Sequence, residues 1–539
     1  MKKFGKMKSL ALAVGIALGG LGVLPSAQAV YVSANNLGQA LIFPYYTVRG
    51  GWMTLFGVTN TSALTVAVKV RFREAYNSRD VFDFNIILSP YDVWTGWVAD
   101  AGDRPALFSE DKSCTVGAMS PNGIPFTDGL NTYTGTAADG GPTTPDRMKE
   151  GYVEMIMMGA ANVVTPAGTP DLTPLARGAI HVNGVPTNCQ ALIDAFTNYN
   201  QLGTAGMAPT AGFLRGEFQF YGVDPTSNRS LNPLKGTFAL VNGAKGLNAV
   251  GLPVHLEGYA WRADRDVLDP GIFMTSQLPK DEAGGKYYDS YNEPSLGSRY
   301  QDSVSGYLQV HRNYNELIFG QRPIPAVAFS HNTAGAVRTT GALEAVGLLN
   351  EWSRRTNAAA GWVTATDWVI TFPTKHFFVD NDPDNEYAGR NSFRGNAVAA
   401  PGLTADDLTP FSQSFVDTAA SPVVRRGKSC DSVSYQLRNR EEQRSTTSLF
   451  SPSGSSQMCY EANVLTFNKG AILESPIAQS INYPENFTFG WLNVRFSGAN
   501  AANMGLPAVG FGITSRDDGS STLLSEAGLY NHTIVRPAL

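Results

Sequence analysis

Four cysteines carry the most definite chemistry in this chain: Cys114, Cys189, Cys430 and Cys459. Thiols bind metals, do redox work or crosslink, and their spacing separates these roles. A structural zinc site needs close pairs such as C-x-x-C, and haem attachment needs C-x-x-C-H; neither occurs. An even number of widely spaced cysteines in an exported chain points to two disulfides. Of the three pairings that four cysteines allow, the sequential one is favoured, Cys114–Cys189 and Cys430–Cys459. Each bridge would be worth about 3–5 kcal/mol through the entropy of the unfolded chain.

Hard oxygens make the second candidate. Asp380, Asp382 and Asp384 alternate along a short stretch that ends in Glu386. This is the D-x-D-x-D spacing that converges carboxylates on calcium. The glycine expected in an EF-hand loop is replaced by Asn385, which tolerates the same left-handed turn. The closing bidentate Glu is absent, since Asn391 stands there. Two readings follow: a simple calcium loop in a β protein, or a solvated acidic turn after a strand over 368–379. Calcium is the only cofactor the sequence suggests.

Catalytic motifs are sparse. The six histidines, His181, His255, His311, His331, His376 and His532, include no H-E-x-x-H and no close pair. Each reads as an isolated surface or core residue. G-x-S-x-G is absent, although a Ser-His-Asp set drawn from distant segments stays open, because triads are assembled by geometry. Gly427-Lys428-Ser429 ends like a Walker A loop, but Pro422 stands where that motif begins with Gly. Proline has no N–H to offer a phosphate. Tyr45, Tyr46, Trp94 and Trp97 belong to a large aromatic set that would stack on sugar rings or fill a core. Trp94 reads as core.

The N-terminus says where these residues work. Lys2, Lys3, Lys6 and Lys8 precede an uncharged run from Leu10 to Leu24, and Ala27-Gln28-Ala29 matches a signal-peptidase site. Residues 1–29 therefore read as a bacterial secretory leader, cut before Val30. No later stretch is long and apolar enough for a spanning helix. The formal charge is −5, and losing the four leader lysines makes it more negative still. Nucleic acid is a poor partner for such a chain, because phosphate binding needs a basic surface.

The elements that must position these groups are strands. Only 16% of the residues are charged, against 55 glycines and 31 prolines, a composition that favours turn-rich β structure over long helices. Val66, Val68, Val70 and Phe72 alternate with Ala67, Lys69, Arg71 and Arg73: a strand with one apolar and one mostly basic face. Phe82, Phe84, Ile86 and Leu88 repeat the pattern after a turn at 77–80. Leu55 to Val58 read as a third strand, closed by Thr59-Asn60-Thr61-Ser62. Further strands are expected near 152–158, 217–221, 237–241, 368–372, 492–496 and 509–514. Short helices are expected at 190–199 and, from Leu343, Val346, Leu349 and Trp352, at 341–355. Long loops fill 118–148, 160–177, 265–303 and 380–425.

The rhythm of residues 41–98 and the Asn60-Thr61-Ser62 turn resemble the immunoglobulin-like β-sandwich modules of many exported bacterial proteins. That resemblance implies mainly β, antiparallel sandwich domains with long loops and a few short helices. The expected division is 1–29 leader, 30–264 first sandwich with loop insertions, and 265–539 second β-rich domain. The leading functional expectation is a non-catalytic structural or adhesive protein of the cell surface or extracellular space, with the periplasm as the alternative location. Its partners would be cell-surface components, polysaccharide or further copies of itself. A secreted polysaccharide-acting or carbohydrate-binding protein is the first alternative. An outer-membrane-associated protein is the second, disfavoured as a barrel because Pro537 interrupts the last strand.

Overall fold

The alternating residues at 66–72 lie in a strand, Thr65–Glu74, paired antiparallel with Asp80–Leu88. The computed structural model describes residues 30–116, 120–126, 141–161, 175–193, 231–259, 335–355, 362–376, 410–412, 415–416, 428–445, 457–467, 471–498, 505–517 and 525–537. The leader, the boundary near 265, the strand expected at 217–221 and the acidic run at 380–386 lie outside them. Met53–Asn60 does not continue the hairpin as a meander; it crosses to a facing sheet. The crossing is held by Asn60, whose Nδ2 donates to Leu64 O and Ser89 O while its Oδ1 accepts from Ser62 N. A buried amide thus replaces the ladder bonds that the turn gives up.

The first sandwich has a seven-stranded and a six-stranded sheet. The seven-stranded sheet is ordered Tyr31–Val32, Val254–Glu257, Ala40–Thr47, Glu150–Ala161, Thr65–Glu74, Asp80–Leu88, Cys114–Val116. In the other, Met53–Asn60 lies between Leu234–Asn242 and Val93–Asp100. Phe43, Phe56 and Phe72 meet edge-on between the layers at 5.4 and 5.5 Å. Trp94 is buried against Phe84, as its core reading requires. Two sheets of this size exceed the roughly seven to nine strands of an immunoglobulin domain. The likeness extends to layered antiparallel packing, not to strand count.

The second sandwich packs two five-stranded sheets around Trp352, Trp368 and Phe467. One sheet contains Asp431–Asn439, Phe489–Phe496, Gly347–Ser353 and Thr533–Val535. The other contains Ala462–Phe467, Val363–Thr371, Val509–Asp517 and Glu526–Asn531. The helix expected at 341–355 is corrected: the helix is Gly335–Leu343, and Gly347–Ser353 is a strand. Local spacing suited a helix, but this segment pairs on both sides, with Phe489–Phe496 and Thr533–Val535. A Cβ at Gly347 would sit 2.8 Å from Val494 O, so glycine permits the close approach. Two-sided pairing outweighs a weak helical preference. The short helix expected at 190–199 is helical over 189–193, and its remainder lies outside the described residues.

Burial separates outer from inner sheets. Met53–Asn60 and Phe489–Phe496 alternate buried with more open positions. Ala40–Thr47, Thr65–Glu74, Glu150–Ala161 and Ala462–Phe467 are buried at every position. These strands of the two inner sheets are thus covered on both faces, and the halves share hydrogen bonds. Ala75 O accepts from Glu461 N and Ala462 N at 3.0 and 3.1 Å. Thr371 Oγ1 donates to Pro44 O, and Trp52 Nε1 to Ile472 O. Both expected disulfides are formed, Cys114–Cys189 across 75 residues and Cys430–Cys459 across 29. No helix among the described residues is long and apolar enough to cross a membrane.

Candidate functional site

The described histidines settle as structural residues. His255 Nε2 accepts from Gly236 N, and burial lowers its pKa to about 4. His532 packs against Trp368 at a tilt, with ring centroids 4.6 Å apart. Its Nε2 faces Val369 O at 3.0 Å and must carry the proton, so Nδ1 accepts from Asn350 Nδ2 at 3.1 Å. Burial lowers this histidine to about 3. His376 is fully buried, and burial with the nearby Arg73 and Arg71 keeps it well below the ordinary histidine range. His311 and His331 lie outside the described residues.

One constellation imitates a triad. His181 Nδ1 is 3.4 Å from Ser89 Oγ and 3.6 Å from Asp92 Oδ2. A working triad places nucleophile and carboxylate on opposite ring nitrogens, so that a proton can pass through the imidazole. Here both meet Nδ1, and Asp92 is already occupied closing its own turn through Ser89 N. The arrangement caps a turn. The Walker-like residues Lys428–Ser429 form a two-residue strand paired with Phe415–Val416, not a phosphate loop before a helix. Tyr45 and Tyr46 are no ligand platform either: both are buried, donating to Glu150 Oε2 and Met148 O.

The basic face of Thr65–Glu74 is buried, against the ordinary expectation for charged residues. Arg73 Nε meets Glu154 Oε1 at 2.9 Å with neither side chain exposed. Arg147 meets Glu74 at 3.0 Å in the same setting. Arg49 Nε meets Glu150 Oε1 at 2.8 Å, while Glu150 Oε2 accepts from Tyr45 and from Ser475 of the second sandwich. Glu154, in sequence an interruption of an apolar run, supplies the countercharge. Desolvated charges persist only when paired in this way. Asp367 is buried with no cation in contact among the described residues; its Oδ2 accepts from Ile472 N and Leu473 N. Burial raises Asp367 to about 6.

A concave site lies in the second sandwich. Strand Gly347–Ser353 pairs with Thr533–Val535 only through Leu349, leaving its second half beside a groove of about 940 Å³. That volume is near the upper end for small-molecule sites. Phe489 and Trp491 line it from one neighbouring strand, and Glu526–Tyr530 from the edge strand of the facing sheet. Arg438 lies over the Trp491 ring at 5.9 Å. Arg516 and Glu526 pair at 3.3 Å, both largely exposed. A Cβ at Gly528 would meet Tyr530 Oη at 2.7 Å, so glycine lets that phenol fold back along the strand. Glu351, Thr514 and Thr533 add polar groups to the lining. Sequence reading passed over all of these. The alternation of Phe489, Trp491 and Asn493 was their only local trace, and it marks a strand face without saying that it is open.

Among the described residues no group of three or more His, Cys, Asp or Glu is placed to hold a metal. Asp380, Asp382, Asp384 and Glu386, the candidate calcium ligands, lie outside those residues. Comparison with protein-family models, curated proteins and solved structures finds no match for this chain.

Proposed function

We propose that the protein is an exported, non-catalytic binding scaffold of the cell surface or extracellular space, structural or adhesive in role. The observation that carries this reading is the joining of two sandwiches through Glu150. Its carboxylate takes Arg49 and Tyr45 from one half and Ser475 from the other. Such a body resists hinge motion, which suits load-bearing or adhesion better than a catalytic cycle that opens and closes. The leader and the two disulfides support export. Fractionation with thiol labelling tests it. The expected result is processed chain outside the inner membrane with blocked thiols, and loss of surface attachment when the gene is deleted. Full-length chain in the cytosol with reactive thiols would overturn it.

A second reading, a secreted enzyme acting on polysaccharide, is favoured by one observation: Glu351 and Glu526 both line the groove. Glycoside hydrolysis uses a carboxylate pair of this kind. Depolymerisation of a polysaccharide by the purified protein, abolished in Glu351→Gln or Glu526→Gln, would establish it over the scaffold.

A further inference from the structure

We propose that the groove of the second sandwich binds a neutral, hydroxyl-rich saccharide chain, stacked on Trp491 and Phe489 and hydrogen-bonded through Glu351, Glu526 and Arg516. This rests on the scaffold reading and names the ligand such a scaffold would hold.

Three classes of ligand compete for a groove lined by strands, and the observations separate them. A peptide adding itself as a strand needs free main-chain donors and acceptors. The exposed edge of Gly347–Ser353 has spent them on side chains, its own Asn350 and, from the facing sheet, Trp368 and Thr366. Glu351 N donates to Asn350 Oδ1, and Glu351 O accepts from Trp368 Nε1. Ser353 N donates to Thr366 Oγ1, which returns its proton to Ser353 O. On the facing strand, Tyr530 O is taken by Asn350 Nδ2. An acidic polymer needs a cationic lining, yet two carboxylates here face one guanidinium. A purely apolar ligand would leave those three charged groups desolvated and poorly matched.

What the groove does offer is aromatic surface and bidentate polar groups. Phe489 is 41% exposed and Tyr530 60%. Aromatic rings present flat apolar faces, while carboxylates and guanidinium engage two neighbouring hydroxyls at once. Trp352 lines the groove although it is only 1% exposed, with its ring packed on Phe467 and Tyr483 in the core. The Arg516–Glu526 pair is exposed and cheap to part, so both members can turn to a ligand. A sugar ring combines the two surfaces, with C–H faces above and below and hydroxyls around the rim.

The test is calorimetry and tryptophan fluorescence on the full processed chain with glucan, mannan, galactan and chitin oligomers. A uronate oligomer and an unstructured strand-forming peptide serve as competitors. At least one neutral oligomer should bind, and Trp491→Ala should weaken it about tenfold or more. Glu526→Gln should weaken it severalfold with an unchanged unfolding midpoint, which separates lost binding from lost fold. No binding by any neutral oligomer, preference for the uronate or the peptide, or full binding by Trp491→Ala would each overturn the proposal. Failure here with intact surface fractionation would remove the saccharide and leave the scaffold reading standing. Cytosolic retention with saccharide binding would do the reverse.

Discussion

The same two side-chain types are paired in two places, with opposite consequences. Arg73 and Glu154 meet at 2.9 Å at the joint of the sandwiches, neither exposed to solvent. Arg516 and Glu526 meet at 3.3 Å beside the groove, with 60% and 63% of their side chains exposed. Distance hardly distinguishes them; water does. In the joint neither partner can be removed without stranding the other in a medium that solvates it poorly. At the groove, solvent stands in for a missing partner, so the pair adds little to stability and stays available to a ligand. Charge in the first region is architecture, and in the second it is left in contact with water, where the proposed saccharide would meet it.

The sharpest way to break this contrast is Glu154→Ala. It leaves Arg73 buried beside Ser78 O without its countercharge. The expected loss is about 3–5 kcal/mol, read as a lowered denaturant midpoint. Replacing both partners by apolar residues of similar volume should recover much of it. A small effect of the single change would mean that water reaches the joint.

Crosslinks come next. Replacing Cys430 and Cys459 by serine should cost about 3–4 kcal/mol. The same change at Cys114 and Cys189, which close the longer loop, should cost about 1 kcal/mol more from loop entropy alone. Reversed order in urea titrations would show that native strain or residual unfolded structure dominates.

Asp367 adds a pH-dependent version of the comparison, a buried carboxylate with N–H donors in place of a cation. Burial raises it to about 6 from the ordinary 3.8. The folded chain therefore takes up this proton before the unfolded chain does, and folding gains from it as pH falls through 6. Above that, the ionised form opposes folding by up to about 3 kcal/mol. Asp367→Asn should then be the more stable protein at about pH 7 and lose that advantage by about pH 4. His255 and His532 act in the opposite sense. Held low by burial, at about 4 and about 3, they stay neutral when folded, and folding loses stability as pH falls below 6.5. An advantage of the variant that does not change with pH would dispose of the Asp367 assignment.

The smallest effect belongs to the exposed pair. Arg516→Ala should change stability by no more than about 0.5 kcal/mol. A loss comparable to that of Glu154→Ala would erase the distinction between the two regions.

Several of these features were legible in the residue order. Period-two alternation located Thr65–Glu74, Asp80–Leu88 and the core strands of the second half, because successive side chains of a strand point to opposite faces. Cysteine spacing ordered the crosslinks correctly, since sequential pairs close the shortest loops. The basic face of Lys69, Arg71 and Arg73 was visible too, but its burial was not. Asp83 lies close by in sequence, but Glu154 comes from a neighbouring strand far along the chain. The segment at 341–355 misled because its apolar spacing fits a helix, and only its two flanking strands make it extended.

The amino-acid order by itself determined the β class, the acidic balance and which cysteines join. Each depends on short-range pattern or on counting. The tertiary structure decided which polar faces are sealed, which strand edges are spent on side chains, and where aromatic residues remain in contact with water. Those outcomes depend on groups that approach from other strands, tens to hundreds of residues away, and local spacing carries no record of such encounters.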